Sequence, residues 1–302
     1  MNLTLLVNPS AGGGHALRRW PELASVLGAS GPVTVVEAHS AADLERAARE
    51  AAGGNRVVVI AGGDGTVHRV INALDGLGAT IAVLPVGSGN DFCASLGLPA
   101  DPLEAARRIA AGRVRAVDLV AVDGRLFCTV GGLGLVADTA ALVARLGQPG
   151  SRLRPAIRAL GPQAYLLAAA AYITKGPVGT AIRIDAEGTA GPWTWTGGVY
   201  ALFLANQPLL GAGLRLPVPS SNTDGECEIA IVPRTGRLRL ARSLRCLETG
   251  SPVSPDVLIV RRATKATIAA GTVSLFVADG ELLPPAGRFT VEVRPAALQV
   301  LA

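Results

Sequence analysis

The chain has 302 residues, 49% hydrophobic and 17% charged with 37 glycines, a balance that describes a folded, turn-rich chain and excludes a disordered one. Its formal charge of +5 is carried almost wholly by arginine, and with aromatics at only 4% it offers no stacking platform for nucleic acid. Mean hydropathy is high at +0.40, yet the longest apolar candidate, 164–173, falls well short of the roughly 20 residues a transmembrane helix needs.

The opening MNLTLLVNPS has no basic region and no cleavage site, so it reads as a first strand over 3–7 and not as a signal peptide. Further apolar runs at 33–36, 57–60 and 81–84 predict three more strands. Helical patterns lie between them, near 16–27, 41–52 and 66–74. Ser40 and Asp43 stand in capping-box spacing before the second of these, and Asp101-Pro102 opens another helix that ends at Gly112. This alternation predicts an α/β unit with a layered, mainly parallel sheet. The texture then changes. VDLVAVDGRLFCTV, 117–130, is two β runs around the hairpin pair Asp123-Gly124, and most of the remaining chain reads as strands, interrupted by helical segments near 155–174 and 237–247. A domain boundary is expected near 118–121. Cys93, Cys128, Cys227 and Cys246 form no CxxC pair, so neither a zinc site nor a disulfide framework is suggested, and a reducing cytoplasm fits.

The chemistry concentrates in VVVIAGGDGTVHRVINAL, 57–74. A β-branched run feeds Gly62, Gly63, Asp64, Gly65 and Thr66, and Val67, Val70, Ile71 and Leu74 then recur at helical spacing. Glycines let the backbone approach a ligand closely, and the free N–H groups at a helix start attract anions. An acid in such a turn is unfavourable unless a cation joins it, which makes Asp64 a candidate for Mg²⁺ or for proton acceptance. A purely structural strand-turn-helix is the competing reading. His15, His39 and His68 have no metal spacing and are expected in solvated or capping roles, and Asp91 is expected to cap its helix.

IAVLPVGSGNDFCASLGLP, 81–99, is a second strand, glycine turn and helix start. With NPSAGGG at 8–14 and GGDGT at 62–66, it resembles the catalytic domain of the diacylglycerol kinase family, bacterial lipid kinases related to sphingosine kinases. The segments ANQPLLGAGLRLPVPSSNTDGECEIAIV, 205–232, and VADGELL, 277–283, are similar to the family's Asp-Gly and Asp-Gly-Glu segments, so the resemblance spans nearly the whole chain. NAD kinases share the GGDGT turn, but no second match to their pattern is present.

The resemblance implies an NAD-kinase-like α/β domain over 1–119 that binds ATP, rejoined by a C-terminal return at 288–302, and a β-sandwich domain over 120–287 that supplies the lipid site. It implies nucleotide contacts at Asn8, Gly12, Gly13, Gly62, Gly63, Gly65, Thr66, Gly87, Ser88 and Asn90, with Asp64 and Glu281 as the acids of the reaction. Mg²⁺ would be held by Asp64, and a structural Mg²⁺ by Asp224, although Asp224-Gly225 and Asp279-Gly280 also read as plain turns. The reaction implied is γ-phosphate transfer from ATP to the hydroxyl of a membrane lipid such as diacylglycerol, or of a sphingoid or other alcohol. The enzyme would sit peripherally on the inner face of the membrane, and a homodimer is compatible with the sequence. The arginine runs at 145–158 and 237–245 are either solvated faces or membrane-docking surfaces. Three positions depart from the family's pattern: Arg69 where an acid is usual, Thr129 where asparagine is common, and no lysine after the glycines of NPSAGGGHA. A non-catalytic nucleotide- or lipid-binding relative therefore stands as the alternative.

Overall fold

The computed structural model describes residues 1–8, 15–54, 57–87, 89–161, 163–176, 179–211, 214–249 and 251–302. The chain divides into two units, Met1–Leu119 with Pro295–Ala302, and Val120–Arg294.

The first unit runs β1 (Leu3–Val7), α1 (His15–Leu27), β2 (Val33–Glu37), α2 (Ala41–Gly53), β3 (Val57–Gly62), α3 (Asp64–Ala73), β4 (Thr80–Pro85), α4 (Asp91–Ser95), α5 (Pro102–Ala111) and the start of β5 (Val114–Val122). Strands β1 to β4 pair in parallel in the order β2-β1-β3-β4, with Leu5 opposite both Val35 and Val59, and Ile60 opposite Val83. The apolar runs explain the arrangement. Val58 to Ile60 and Ile81 to Leu84 are buried, as strands covered on both faces must be. Helix starts follow the local chemistry: Ser40 Oγ accepts the Asp43 amide at 3.1 Å, and Asp101 Oδ1 accepts those of Leu103 and Glu104 at 2.9 and 3.0 Å.

The second unit continues with β6 (Arg125–Phe127), β7 (Val130–Gly134), α6 (Leu135–Leu146), α7 (Arg154–Leu160), α8 (Gln163–Lys175), β8 (Thr180–Gly188), β9 (Gly191–Ala205), β10 (Leu209–Gly211), β11 (Leu214–Arg215), β12 (Cys227–Pro233), α9 (Arg237–Thr249), β13 (Ile259–Ala263), β14 (Lys265–Ala278) and β15 (Glu281–Leu301). Its strands pair antiparallel in the order β13-β12-β9-β7-β14-β15, and β8 pairs with both β9 and β14. On β8, Ile182, Ile184 and Ala186 are buried while Arg183, Asp185 and Glu187 face solvent, the two-residue period of a sheet with one wet face. The core includes Phe276 and Phe289, whose ring centroids lie 5.3 Å apart.

Asp123-Gly124 and Asp279-Gly280 form two-residue hairpin turns. Asp123 and Gly124 have φ of 49° and 80°, and Asp279 and Gly280 have 49° and 82°, as a type I′ turn requires. Two differences from the sequence pattern are local. The segment expected as one helix over 155–174 is two, α7 and α8, separated at Gly161 with φ 52°. Helix α6 escapes the sequence pattern, because its apolar LVADTAALVARL follows directly on a β run. Strand β15 serves both units in turn: Arg288 to Glu292 pair with Ala269 to Lys265 of β14, and Gln299 and Val300 pair in parallel with Thr80 and Ile81 of β4. The stretch belonging to the first unit therefore begins at Pro295, not at 288.

Candidate functional site

Strand β3 ends at Gly62 and α3 begins at Asp64, leaving almost no loop in which to turn. Glycine is needed there for contact as well as conformation. A Cβ on Gly62 would lie 2.5 Å from Thr66 Cβ, and one on Gly87 would lie 2.3 Å from Gly63 Cα. The turn after β3 and the turn after β4 thus rest backbone on backbone. Asn90, in the left-handed region at φ 60°, locks the second turn. Its Oδ1 accepts the Gly87 amide at 2.9 Å and its Nδ2 donates to Gly87 O at 2.8 Å. In the first turn, the amides of Thr66 and Val67 donate to Gly63 O at 2.9 and 3.1 Å, so Gly65 and Thr66 lie in the opening turn of α3. Asn8 directly follows β1. Gly12, Gly13 and Ser88 lie outside the described residues.

The Asp64 carboxylate bridges these turns. It accepts the amide of Asp91 at 3.2 Å and that of Phe92 at 3.1 Å, two of the N–H groups that α4 cannot satisfy internally. A helix start thus stabilises this acid, and no local signal in the sequence reveals that partner. The cap position of α4 belongs to Asn90, and Asp91, expected there, is the first helical residue and is buried. Gly89 is a further residue that the motif by itself does not single out. A Cβ on it would fall 2.7 Å from Asp64 Oδ2, so any other residue would crowd the carboxylate, which is itself the donor type that suits Mg²⁺. Beneath the turn, burial pushes the Cys93 thiol well above its ordinary value and the Asp64 charge adds to this, so Cys93 is a neutral thiol. His68, expected in a solvated or capping role, is only 5% exposed. It sits on the same side of α3 as the buried Val67 and Ile71.

In the second unit, Asp279 is architectural. Its carboxylate accepts the amides of Cys128 and Thr129, the latter at 2.8 Å, and the Thr129 hydroxyl at 2.6 Å. Its own amide donates to Val130 O at 3.1 Å, and Asn206 Nδ2 donates to Cys128 O at 3.0 Å. Three separate segments, 127–130, 205–208 and 277–281, are therefore knotted around Cys128 and Thr129. Thr129, a departure from the family's pattern, is a hydroxyl donor in this knot. Glu281 is the first residue beyond the fixed turn, half-buried. The hydroxyl of Tyr165 on α8 titrates above its ordinary value through burial, with the nearby Glu281 charge adding to it.

Asp224 lies elsewhere in that unit, at the entry to β12. Its Oδ1 accepts the Glu226 amide at 3.2 Å, as a turn aspartate does, and its Oδ2 meets the Arg262 guanidinium. The same arginine reaches Glu226 Oε2 at 3.1 Å and stands 3.4 Å from Oε1 of Glu228, its cross-strand partner. Glu226 also accepts the Thr189 amide at 2.7 Å, whereas neither oxygen of the buried Glu228 has a hydrogen bond among the described residues. Burial drives Glu228 from an ordinary 4.5 up to about 7, against the pull of Arg262 and with the push of Asp224. The positive charge facing Asp224 is thus arginine. Among the described residues no group of three or more His, Cys, Asp or Glu is arranged to hold a metal ion.

Comparison with known proteins accounts for both units. Residues 2–122 match the family described as the diacylglycerol kinase catalytic domain, and residues 151–302 match the YegS C-terminal NAD kinase beta sandwich-like domain. A diacylglycerol kinase of Mycobacterium tuberculosis is 29% identical over 99% of this chain and 94% of its own length. The "Probable lipid kinase YegS-like" protein of Pseudomonas syringae pv. syringae is 30% identical over 86% of this chain and 80% of its own. The crystal structure of a diacylglycerol kinase from Bacillus anthracis str. Sterne superposes with a TM-score of 0.78 over 99% of this chain and 96% of that one, at 22% identity, which establishes the shared fold. With an α/β unit built on abutting glycine turns and a β-sandwich unit in the matching order, the chain belongs to the diacylglycerol kinase family of lipid kinases.

Proposed function

We propose that the chain transfers the γ-phosphate of ATP to the hydroxyl of a membrane lipid such as diacylglycerol. The observation that carries this reading is the seating of Gly63 against Gly87, which sets the turns opening α3 and α4 side by side with the Asp64 carboxylate between them. Phosphoryl transfer asks a protein for alignment and charge stabilisation more than for covalent chemistry, and glycine turns at helix starts supply N–H donors for phosphate oxygens. Asn8, Gly62, Gly63, Gly65, Thr66, Gly87 and Asn90 would contact the nucleotide, and with them Gly12, Gly13 and Ser88. Mg²⁺, when bound, neutralises charge on the terminal phosphate oxygens, and Asp64 would hold it. The lipid oxygen attacks the γ-phosphorus, the bond to the bridging oxygen of ADP breaks, and a carboxylate takes the hydroxyl proton; Asp64 is the first candidate, acting either through Mg²⁺ or as that base, and Glu281 is the second candidate. At Asp224 we assign the counter-charge to Arg262.

The substrate places the enzyme on the cytoplasmic face of a membrane. No helix among the described residues is long and apolar enough to cross one. Incubation with labelled ATP, magnesium and a mixed lipid extract tests the reading, with the product identified by mass spectrometry. Labelled lipid with the wild type and far less with Asp64→Asn is expected; equal label from both would remove Asp64 from the reaction. A nucleotide- or lipid-binding relative without transfer is the second reading, favoured by Arg69, an exposed cation on α3 where the family usually has an acid. Nucleotide binding with no labelled lipid would decide for it.

A further inference from the structure

Helix α3 shows solvent a single stripe. Val67, His68, Val70, Ile71 and Ala73 are buried, which leaves, after Asp64, Gly65, Thr66, Arg69 and Asn72 on the open side at three- and four-residue spacing. The stripe begins in the glycine turn, and from Gly65 onward Arg69 is its one charged member. The Asn72 side-chain amide donates to His68 O at 2.8 Å, within the helix itself. Arg69 lies one turn behind Gly65 and Thr66, about 5.4 Å along the axis, and helix side chains lean toward the N-terminus. An extended Arg69 is therefore long enough to bring its guanidinium to the level of the turn.

The charge at the turn calls for such a group. Asp64 and the buried Asp91 already place two acids there. A polyphosphate adds several more negative charges, and sites that transfer phosphoryl groups pair their glycine-rich turns with a cationic side chain, commonly lysine. Neither 1–119 nor 295–302 contains a lysine, the chain's two being Lys175 and Lys265, so within the first unit that part falls to arginine. Other arginines of the unit are engaged elsewhere. Arg46 and Arg49 pair with Asp43, Glu50 and Glu45 on α2, and Arg108 and Arg115 donate to the carbonyls of Gly97 and Leu96. Arg69 starts from the helix that the turn opens, and its planar fork matches two phosphate oxygens at once.

We infer that Arg69 is a phosphate-binding residue, its guanidinium gripping the terminal phosphate oxygens of the nucleotide beside the α3 turn. This role rests on reading the two turns as a phosphate seat, and it holds whether or not a lipid is then phosphorylated. The intact chain is titrated calorimetrically with ATP, ADP and AMP in magnesium buffer without lipid. Wild type should bind ATP, and Arg69→Gln should weaken ATP about tenfold, ADP less and AMP hardly at all. Arg69→Lys should keep part of the wild-type affinity and Arg69→Glu should lose the most, while all three variants melt with wild type because the side chain is exposed. With a short-chain, water-soluble diacylglycerol as acceptor, the KM for ATP should rise in the same order. ATP affinities of Arg69→Gln and Arg69→Glu within about twofold of wild type would overturn the inference and leave the lipid-kinase reading standing. So would an equal loss for ATP, ADP and AMP. A wild type that binds none of the three nucleotides would overturn both.

Discussion

The carboxylate of Asp64 accepts the amide of Phe92 at 3.1 Å, joining the first turn of α3 to the first turn of α4 across 28 residues of sequence. One acid therefore ties the two glycine turns together, with Gly89 backbone close beside it.

This double duty predicts a split result for Asp64→Asn. Lipid phosphorylation should fall by about 10²-fold or more, the range lost with a positioned proton acceptor or charge-stabilising group. Stability should fall only by about 1 kcal/mol, since the amide oxygen can still accept one of the two N–H groups. Paired activity and denaturant-unfolding measurements check both. A loss of activity matched by global unfolding would assign Asp64 to structure alone.

Gly87→Ala should be far more harmful than its size suggests. The added methyl would lie 2.3 Å from Gly63 Cα, against backbone that cannot swing aside, so the turns must separate. Weaker nucleotide binding by calorimetry and a stability loss of roughly 1–3 kcal/mol are expected. Gly53→Ala is the control. Its Cβ meets nothing within 4 Å at the end of α2, and it should be neutral or stabilising by up to about 1 kcal/mol.

Asp279→Ala leaves the buried Cys128 and Thr129 amides without their acceptor and should cost about 2–4 kcal/mol by chemical denaturation. Asp279→Asn should cost less, because asparagine also tolerates positive φ and keeps one oxygen. A loss of activity in Asp279→Asn with unchanged stability would move Asp279 from the framework into the reaction.

Glu228 makes stability depend on pH in a direction opposite to most carboxylates. Its folded value of about 7 lies above the ordinary 4.5, so the folded chain holds the proton more tightly. The associated stability is fully present below pH 4.5 and is lost as pH rises through about 7. Glu228→Gln should therefore gain on wild type across that window, by roughly 2–3 kcal/mol at its upper end, in melts run at several pH values. Removing the partner does the reverse. Arg262→Met leaves three acids without their cation and, with the half-exposed guanidinium screened by water, should cost about 1–3 kcal/mol above neutrality, while a chelator should leave wild-type melting unchanged.

Features set by near neighbours are legible in the chain alone. The β-branched run before Gly62, the Ser40 and Asp101 caps and the Asp123-Gly124 turn can be read there because strand period, capping and type I′ geometry are decided within a few residues. The glycine turns are legible too, and with them the family. The partners of the acids come only from folding. Asp64 meets Phe92, Asp279 meets Cys128 across 151 residues, and Asp224 meets Arg262 across 38. An acid before a glycine reads the same in sequence whether a metal, a helix start or an arginine neutralises it, because the neutralising partner comes from a distant segment that only the folded chain brings into hydrogen-bonding range.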